Sequence, residues 1–268
     1  MIIFPDINPT ALSILGLNIQ WYGIAYVLGL FLGLVHAKSI LKNKNIINKK
    51  VFDDLLIWIA CGTIIGGRLG YALFYDFIYY FKNILLIITD IRKGGMSFHG
   101  GLLGVIISVY LFCKLKKVNF LQFMDVIACC APIGIFFVRV TNFINSELWG
   151  KTTLLPWGVV FPNGGFEPRH PSQIYEALLE GLLLFVIINF IYKYKSSIHG
   201  YSSSLFLVFY SIFRILAEYF REPDHHIGYL LGNYLTTGML LSIPMMLIGF
   251  FIFFKVNEQY RKNIKKKY

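Results

Sequence analysis

Charged side chains are scarce in this sequence: Asp, Glu, Lys and Arg make up 15% of its 268 residues, against roughly 25% in a soluble globular domain. With 56% hydrophobic residues and a mean hydropathy of +0.62, that shortage excludes an ordinary water-soluble domain. No P-loop and no Rossmann glycine pattern is present, so no nucleotide cofactor is expected. Four cysteines (Cys61, Cys113, Cys129, Cys130) all fall in apolar stretches without the spacing of a metal site, and the adjacent pair is badly placed for a disulfide. They read as small buried hydrophobes, and neither a metal nor a nucleic-acid partner is expected. The first twenty residues lack Lys and Arg, so there is no basic leader region and no cleavable signal peptide is expected. Repeats at a fixed period and Pro/Gly/Ser linkers are missing too, and residues 1–268 read as a single integral-membrane domain.

What is present is a series of apolar runs near the roughly 20 residues that a membrane-spanning helix needs. They predict an all-α polytopic membrane protein with about seven transmembrane helices, near 20–41, 53–75, 98–113, 120–140, 173–192, 203–220 and 234–254. The apolar piece 84–91 is too short to cross and reads as interfacial or re-entrant. Orientation follows from basic residues in the loops. Segments 42–50, 114–117, 193–200 and 255–268 carry fifteen Lys and Arg, against six in the alternate set. The N-terminus is therefore expected outside and the C-terminus in the cytoplasm. Residues 141–171 form the one substantial extramembrane loop, a small cap over the outer face. Residues 255–268 form a basic, solvated tail near anionic lipid.

Ionisable groups inside a bilayer cost about 2.5–3.5 kcal/mol each on the insertion scale, so each needs a reason. On the predicted topology Tyr22, Arg68, His99, Arg139, Asn142, Asn145, Glu147, Glu176, Arg214, Glu218 and Arg221 all sit in the outer leaflet or at its surface. Lys38 and Asp125 are the exceptions, and Lys38 is long enough to snorkel to the cytoplasm. Polar groups gathered at one depth describe a site open on one side, not a conduit through the midplane. Inward-facing arginines suit a phosphate ligand, because guanidinium stays charged and binds oxyanions bidentately. Individually, blander readings stand beside this one: Arg214 and Glu218 are one turn apart and able to pair with each other, and Arg221 sits where interfacial anchors occur. Gly62, Gly66 and Gly70, and Gly100 and Gly104, recur at four-residue spacing and read as close helix-packing positions.

The stretch Gly94-Gly95-Met96-Ser97-Phe98-His99-Gly100-Gly101-Leu102-Leu103-Gly104 resembles the signature of the prolipoprotein diacylglyceryl transferase family. Trp21-Tyr22-Gly23 and Gly66-Gly67-Arg68-Leu69-Gly70-Tyr71 extend the resemblance, as do Arg139, Asn142, Asn145 and Glu147 at the family's spacing. It continues through Arg169-His170-Pro171-Ser172-Gln173-Ile174-Tyr175-Glu176 and through Tyr210, Arg214, Glu218 and Arg221-Glu222-Pro223-Asp224. Order and spacing agree from about Trp21 to Pro244. Val138 and Thr141 stand where the family usually has glycines, and Lys151 where it usually has Arg.

The resemblance implies a multi-pass enzyme of the bacterial inner membrane with a small periplasmic cap. The implied reaction moves the sn-1,2-diacylglyceryl group from phosphatidylglycerol to the lipobox cysteine of a prolipoprotein signal peptide. It releases glycerol 1-phosphate and uses no cofactor; the implied partners are these two substrates and membrane lipid. Two demands follow: stabilising charge on the departing phosphate, and converting a thiol of ordinary pKa near 8.5 into a thiolate. Arg139 and Arg214 are expected to clamp the phosphate with Asn142, while Glu218 holds Arg214 and Glu147 holds the loop. His99 is the candidate base, or else it orients the phosphate or a gating loop. Tyr22 is expected to hydrogen-bond glycerol or phosphate, and Arg68, Tyr210 and Arg221 complete the substrate-binding set. An intramembrane serine protease built on Ser97 and His99, and a transporter, are the rival readings.

Overall fold

Lipid offers no hydrogen bonds, so a chain crossing it must satisfy its backbone internally, and apolar runs fold as helices. The computed structural model follows that rule and describes residues 2–5, 7–14, 17–42, 49–74, 77–90, 97–223, 228–229 and 235–266. Residues 94–96 of the glycine-rich signature, the His99 side chain and Asp224 lie outside the described residues. The helices are α1 (Trp21–Lys42), α2 (Lys49–Phe74), α3 (Phe77–Lys82), α4 (Leu86–Thr89), α5 (Phe98–Lys116) and α6 (Phe120–Ile144). There follow α7 (Ser172–Glu176), which runs through a π-helical segment Ala177–Leu183 into α8 (Leu184–Lys195), then α9 (Tyr201–Glu218) and α10 (Thr237–Lys265).

Among the described residues, five stretches are long and apolar enough to cross a membrane: Trp21–Lys42, Asp53–Leu73, Phe120–Ile144, Ser172–Lys195 and Thr237–Lys265. The protein is an all-α, multi-pass membrane protein. The remaining two predicted spans coincide with α5 and α9; in α9 the hydropathy is lowered by Ser202, Ser203, Ser204, Arg214 and Glu218. Apolar piece 84–91 holds only the single turn of α4. Past the apolar run, α10 continues as helix to Lys265, so most of 255–268 is helical.

The chain divides into two units, Met1–Ser39 with Met124–Tyr268, and Ile40–Phe123. In the second unit α2 packs on α5 through glycines. A Cβ on Gly66 would overlap the Gly100 carbonyl and stand 2.7 Å from Gly104 Cα, and one on Gly104 would overlap the Gly62 carbonyl. Backbone thus lies directly on backbone, which is what small residues at four-residue spacing permit. Ser97 caps α5, its Oγ accepting from Gly100 N–H at 3.2 Å. That capping bond gives Ser97 a structural use in place of the nucleophile role the protease reading needs. Arg68, buried on α2, donates from Nε to Ile87 O (2.6 Å) and from Nη2 to Tyr80 Oη (3.0 Å), fastening α3 and α4 to α2.

In the first unit α1 meets α6 where a Cβ on Gly29 would stand 3.0 Å from Gly134 Cα, and α9 packs between α8 and α10. Asp125, the acidic exception in the sequence, accepts the backbone N–H groups of Gly200 and Ser203 at 2.7 Å each. It caps the N-terminus of α9 from the neighbouring helix, satisfying donors that have no intrahelical partner.

Short strands accompany the helices and were not expected from the sequence. β1 (Ile2–Ile3) pairs in parallel with β4 (Val159–Val160), and β2 (Thr10–Ile14) forms a hairpin with β3 (Leu17–Gln20) that leads into α1. A small core of Phe4, Phe143, Trp149, Val159 and Phe161 sits under the first pair, anchoring residues of the 141–171 loop.

Candidate active site

Four stretches of the first unit bring ionisable groups together. α6 supplies Arg139 and, three residues on, Asn142; α7 supplies Glu176 and the π segment Glu180; α9 supplies Tyr210, Arg214 and Glu218, and Arg221 follows it. Glu176 Oε2 is shared between Arg139 Nη1 (2.8 Å) and Arg214 Nη1 (3.0 Å). Glu180 spans the same pair less closely, with Oε2 3.3 Å from Arg139 Nη2 and Oε1 3.5 Å from Arg214 Nη1. Glu218 Oε1 receives Arg214 Nη2 at 2.5 Å, while Arg221 Nη1 stands 3.9 Å from both Glu218 Oε1 and Glu176 Oε1. Tyr210 lies one turn before Arg214, among these charges.

Burial makes this arrangement obligatory. Side-chain exposure is 0% for Glu180, 1% for Glu176 and 12% for Arg214, and a lone buried charge costs several kcal/mol. Three arginines and three glutamates neutralise one another among the described residues, through charge-assisted bonds stronger than neutral ones. Gly238 at the start of α10 closes over the cluster: any Cβ there would overlap the Glu218 carboxylate and stand 3.2 Å from Arg214 Nε.

A second group adjoins the first through Asn142. Tyr22 Oη, in the first turn of α1, donates to Glu147 Oε2 at 2.7 Å and accepts a bond from Asn142 Nδ2. Gln173 Nε2 donates to the Glu147 carbonyl at 2.5 Å, and Ser172 Oγ to the Leu148 carbonyl at 2.9 Å. These bonds hold Ser146 and Leu148 at φ of 54° and 57°, a region that costs a bulky residue such as leucine strain and clusters at functional sites. Among the described residues, Asn142 Oδ1, Gln173 Oε1 and Glu176 Oε1 are buried without a hydrogen-bond partner, acceptors that a ligand hydroxyl would satisfy.

The loop behind them is stitched by Arg169, which donates to the carbonyls of Gly164 (2.6 Å) and Gly150 (3.2 Å) and pairs with Glu222 at 3.3 Å. Lys151, in place of the family's arginine, donates to Tyr219 O at 2.9 Å. His170 Nδ1 lies 3.1 Å from Tyr175 Oη, which accepts from Trp157 Nε1. Burial, with Lys151 nearby, lowers the His170 pKa. Thr141, one of the two replaced glycines, satisfies its hydroxyl on Phe137 O at 3.0 Å.

Of the expected residues, the structure gathers Tyr22, Arg139, Asn142, Glu147, Tyr210, Arg214, Glu218 and Arg221. Arg68 and His99 belong to the other unit. Arg214 pairs with Glu218 as the spacing allowed, yet it also reaches Glu176 and Glu180. Sequence reasoning missed Glu180 and gave Gln173 no role. The signal for Glu180 was available: a second glutamate four residues after Glu176, inside an apolar run, is as costly as the first.

The family described as prolipoprotein diacylglyceryl transferase matches residues 9–255 of this chain. A protein of Rickettsia felis named phosphatidylglycerol–prolipoprotein diacylglyceryl transferase is 48% identical over 259 residues, covering 96% of this chain and 99% of its own. Identically named proteins of Rickettsia canadensis and Rhizobium meliloti are 49% identical over 250 residues (92% and 96% covered) and 45% identical over 255 (92% and 91%). With the buried arginine cluster built from the family's own motif positions, the chain belongs to the prolipoprotein diacylglyceryl transferase family.

Proposed function

We propose that this enzyme transfers the sn-1,2-diacylglyceryl group of phosphatidylglycerol to the lipobox cysteine of prolipoproteins. The reading is supported by the family and carried by one observation: two part-buried arginines, Arg139 and Arg214, with Nη1 atoms sharing a single carboxylate oxygen of the buried Glu176. A site that holds one anionic oxygen between two guanidinium groups is built for a phosphate oxygen. In the reaction the cysteine sulfur bonds to the glycerol carbon, the bond from that carbon to the phosphate oxygen breaks, and glycerol 1-phosphate leaves with the electron pair. The phosphate goes from a diester with one charge to a monoester approaching two, and the arginines stabilise that gain in a dry setting where electrostatics are strong.

Asn142 has a second Nδ2 hydrogen for the phosphate or glycerol, Tyr22 Oη, its own hydrogen held by Glu147, accepts from a glycerol hydroxyl, and Glu218 keeps Arg214 in place. Tyr210 and Arg221 line the same cluster, and Arg68 completes the substrate-binding set. His99 takes the thiol proton, because imidazole ordinarily titrates near pH 6.5, or else orients the phosphate or a gating loop. The site faces the outer side of the bacterial inner membrane, with the 141–171 loop as a periplasmic cap, the N-terminus outside and the basic 255–268 end in the cytoplasm. Residues 1–268 act as one integral-membrane domain.

Mass spectrometry of a lipobox peptide incubated with purified protein and phosphatidylglycerol tests the reading. A diacylglyceryl mass gain that requires the cysteine, and is lost with phosphatidylethanolamine as donor, is expected. A peptide left unchanged by folded protein overturns it, and a shortened peptide points to proteolysis.

A further inference from the structure

We infer that Glu180 is a positioning residue for the transfer reaction, and that the π-helical turn carrying it exists to place its carboxylate across Arg139 and Arg214. The inference rests on the phosphate-clamp reading of those two arginines. Glu180 is completely buried, touches both guanidinium groups through separate oxygens, and stands beside the shorter contacts made by Glu176.

The helix changes its winding at this point: α7 ends at Glu176, seven residues run as π helix, and regular winding resumes at Leu184. Such π-helical turns are rare and occur frequently at functional sites. Gly181, next to Glu180, presses on α6 so closely that a Cβ would lie 2.7 Å from Phe136 Cβ and 2.9 Å from Phe136 Cα. Phe136 stands three residues before Arg139 on the same helix. The wide turn is thus seated against the helix that carries one arginine, while its glutamate also reaches the other on α9.

The division of labour between the two glutamates follows from their contacts. Glu176 binds at 2.8 and 3.0 Å where an incoming phosphate oxygen would bind, and its Oε1 faces Arg221 at 3.9 Å. A phosphate competes with that carboxylate directly. Glu180 binds at 3.3 and 3.5 Å, on Arg139 through the other nitrogen, Nη2, and its charge keeps the two cations together once the lipid has arrived. Without it the guanidinium groups repel each other and turn independently, and their alignment with the developing charge is lost.

The test is Glu180→Gln, which keeps the shape and removes the charge, beside Glu180→Asp, which keeps the charge on a shorter arm. Initial rates on the lipobox peptide are measured over a range of phosphatidylglycerol concentrations, per unit of folded protein. For Glu180→Gln, kcat is expected to fall at least tenfold while KM for phosphatidylglycerol does not rise, and Glu180→Asp is expected to recover part of the loss. A kcat within twofold of the parent overturns the inference. So does a raised KM with unchanged kcat, which would make Glu180 a lipid-binding group, and so does a lower yield of folded protein with unchanged specific activity, which would make it structural. An inactive parent enzyme would instead refute the transferase reading itself.

Discussion

Replacing Arg214 by Lys keeps the charge and removes the geometry, which isolates what the guanidinium plane contributes. Arg214 reaches Glu218 from Nη2 at 2.5 Å and Glu176 from Nη1 at 3.0 Å, with Glu180 at 3.5 Å. An ammonium is a single point of charge and cannot hold two carboxylates on separate nitrogens while leaving edges for a phosphate. It keeps one of the two short contacts and forfeits the other, a loss of about 1.5–3 kcal/mol for a bond between charged groups. If that loss falls on the transition state, kcat drops about 10- to 150-fold, at 1.36 kcal/mol per factor of ten. The assay is the initial rate of diacylglyceryl addition at saturating phosphatidylglycerol, normalised by thermal unfolding in detergent. A Lys variant within threefold of the parent, at equal folded fraction, would refute the argument that bidentate geometry matters here. Arg214→Ala is less informative: it leaves buried carboxylates without a cation, a defect of about 3–5 kcal/mol that acts on folding as well.

Asp125→Ala orphans the N–H groups of Gly200 and Ser203, at about 1–3 kcal/mol each. The unfolding temperature should fall while specific activity holds, and an unchanged Tm would contradict the capping role. Gly104→Ala drives a methyl into the Gly62 backbone and within 2.9 Å of Gly66 Cα, where nothing can give; it should destabilise by about 1–3 kcal/mol. Gly134→Ala meets nothing within 4 Å and is the control, expected to leave Tm unchanged or slightly raised. His170, whose pKa is lowered by burial and Lys151, binds protons less tightly folded than unfolded. Its contribution is therefore complete above about pH 6.5 and is lost as pH falls from there. His170→Gln should flatten the fall in Tm between about pH 7.5 and 5.5; identical slopes would count against it.

Helices were legible because the bilayer leaves a buried apolar run no alternative, and every predicted span coincides with a helix. Their ends were less legible. Hydropathy marks where lipid stops, not where hydrogen bonding stops, so α10 runs on through Lys255 to Lys265 as helix. The strands escaped notice because β1 and β4 are two residues each and pair across more than 150 positions of sequence, with no local pattern to announce them. The glycine spacing marked α2 and α5 as helices with a close-packing face, since four-residue intervals put small residues on one side; that the two faces meet each other came from the structure.

Membrane character, family and the candidate chemical groups were determined by the sequence alone. They depend on composition and on residue order, and neither changes on folding. Which partner each charge takes was decided only by tertiary structure. Glu218 lies one turn from Arg214 and its pairing could be read from spacing, but Glu176 and Glu180 meet Arg139 and Arg214 from another helix. Asp125 turned out to cap a helix 75 residues away, and Arg68 to fasten two short helices. The reason is physical: burial multiplies the cost of an unpaired charge, so a buried group takes whichever partner packing brings within reach, and packing is a property of the folded chain.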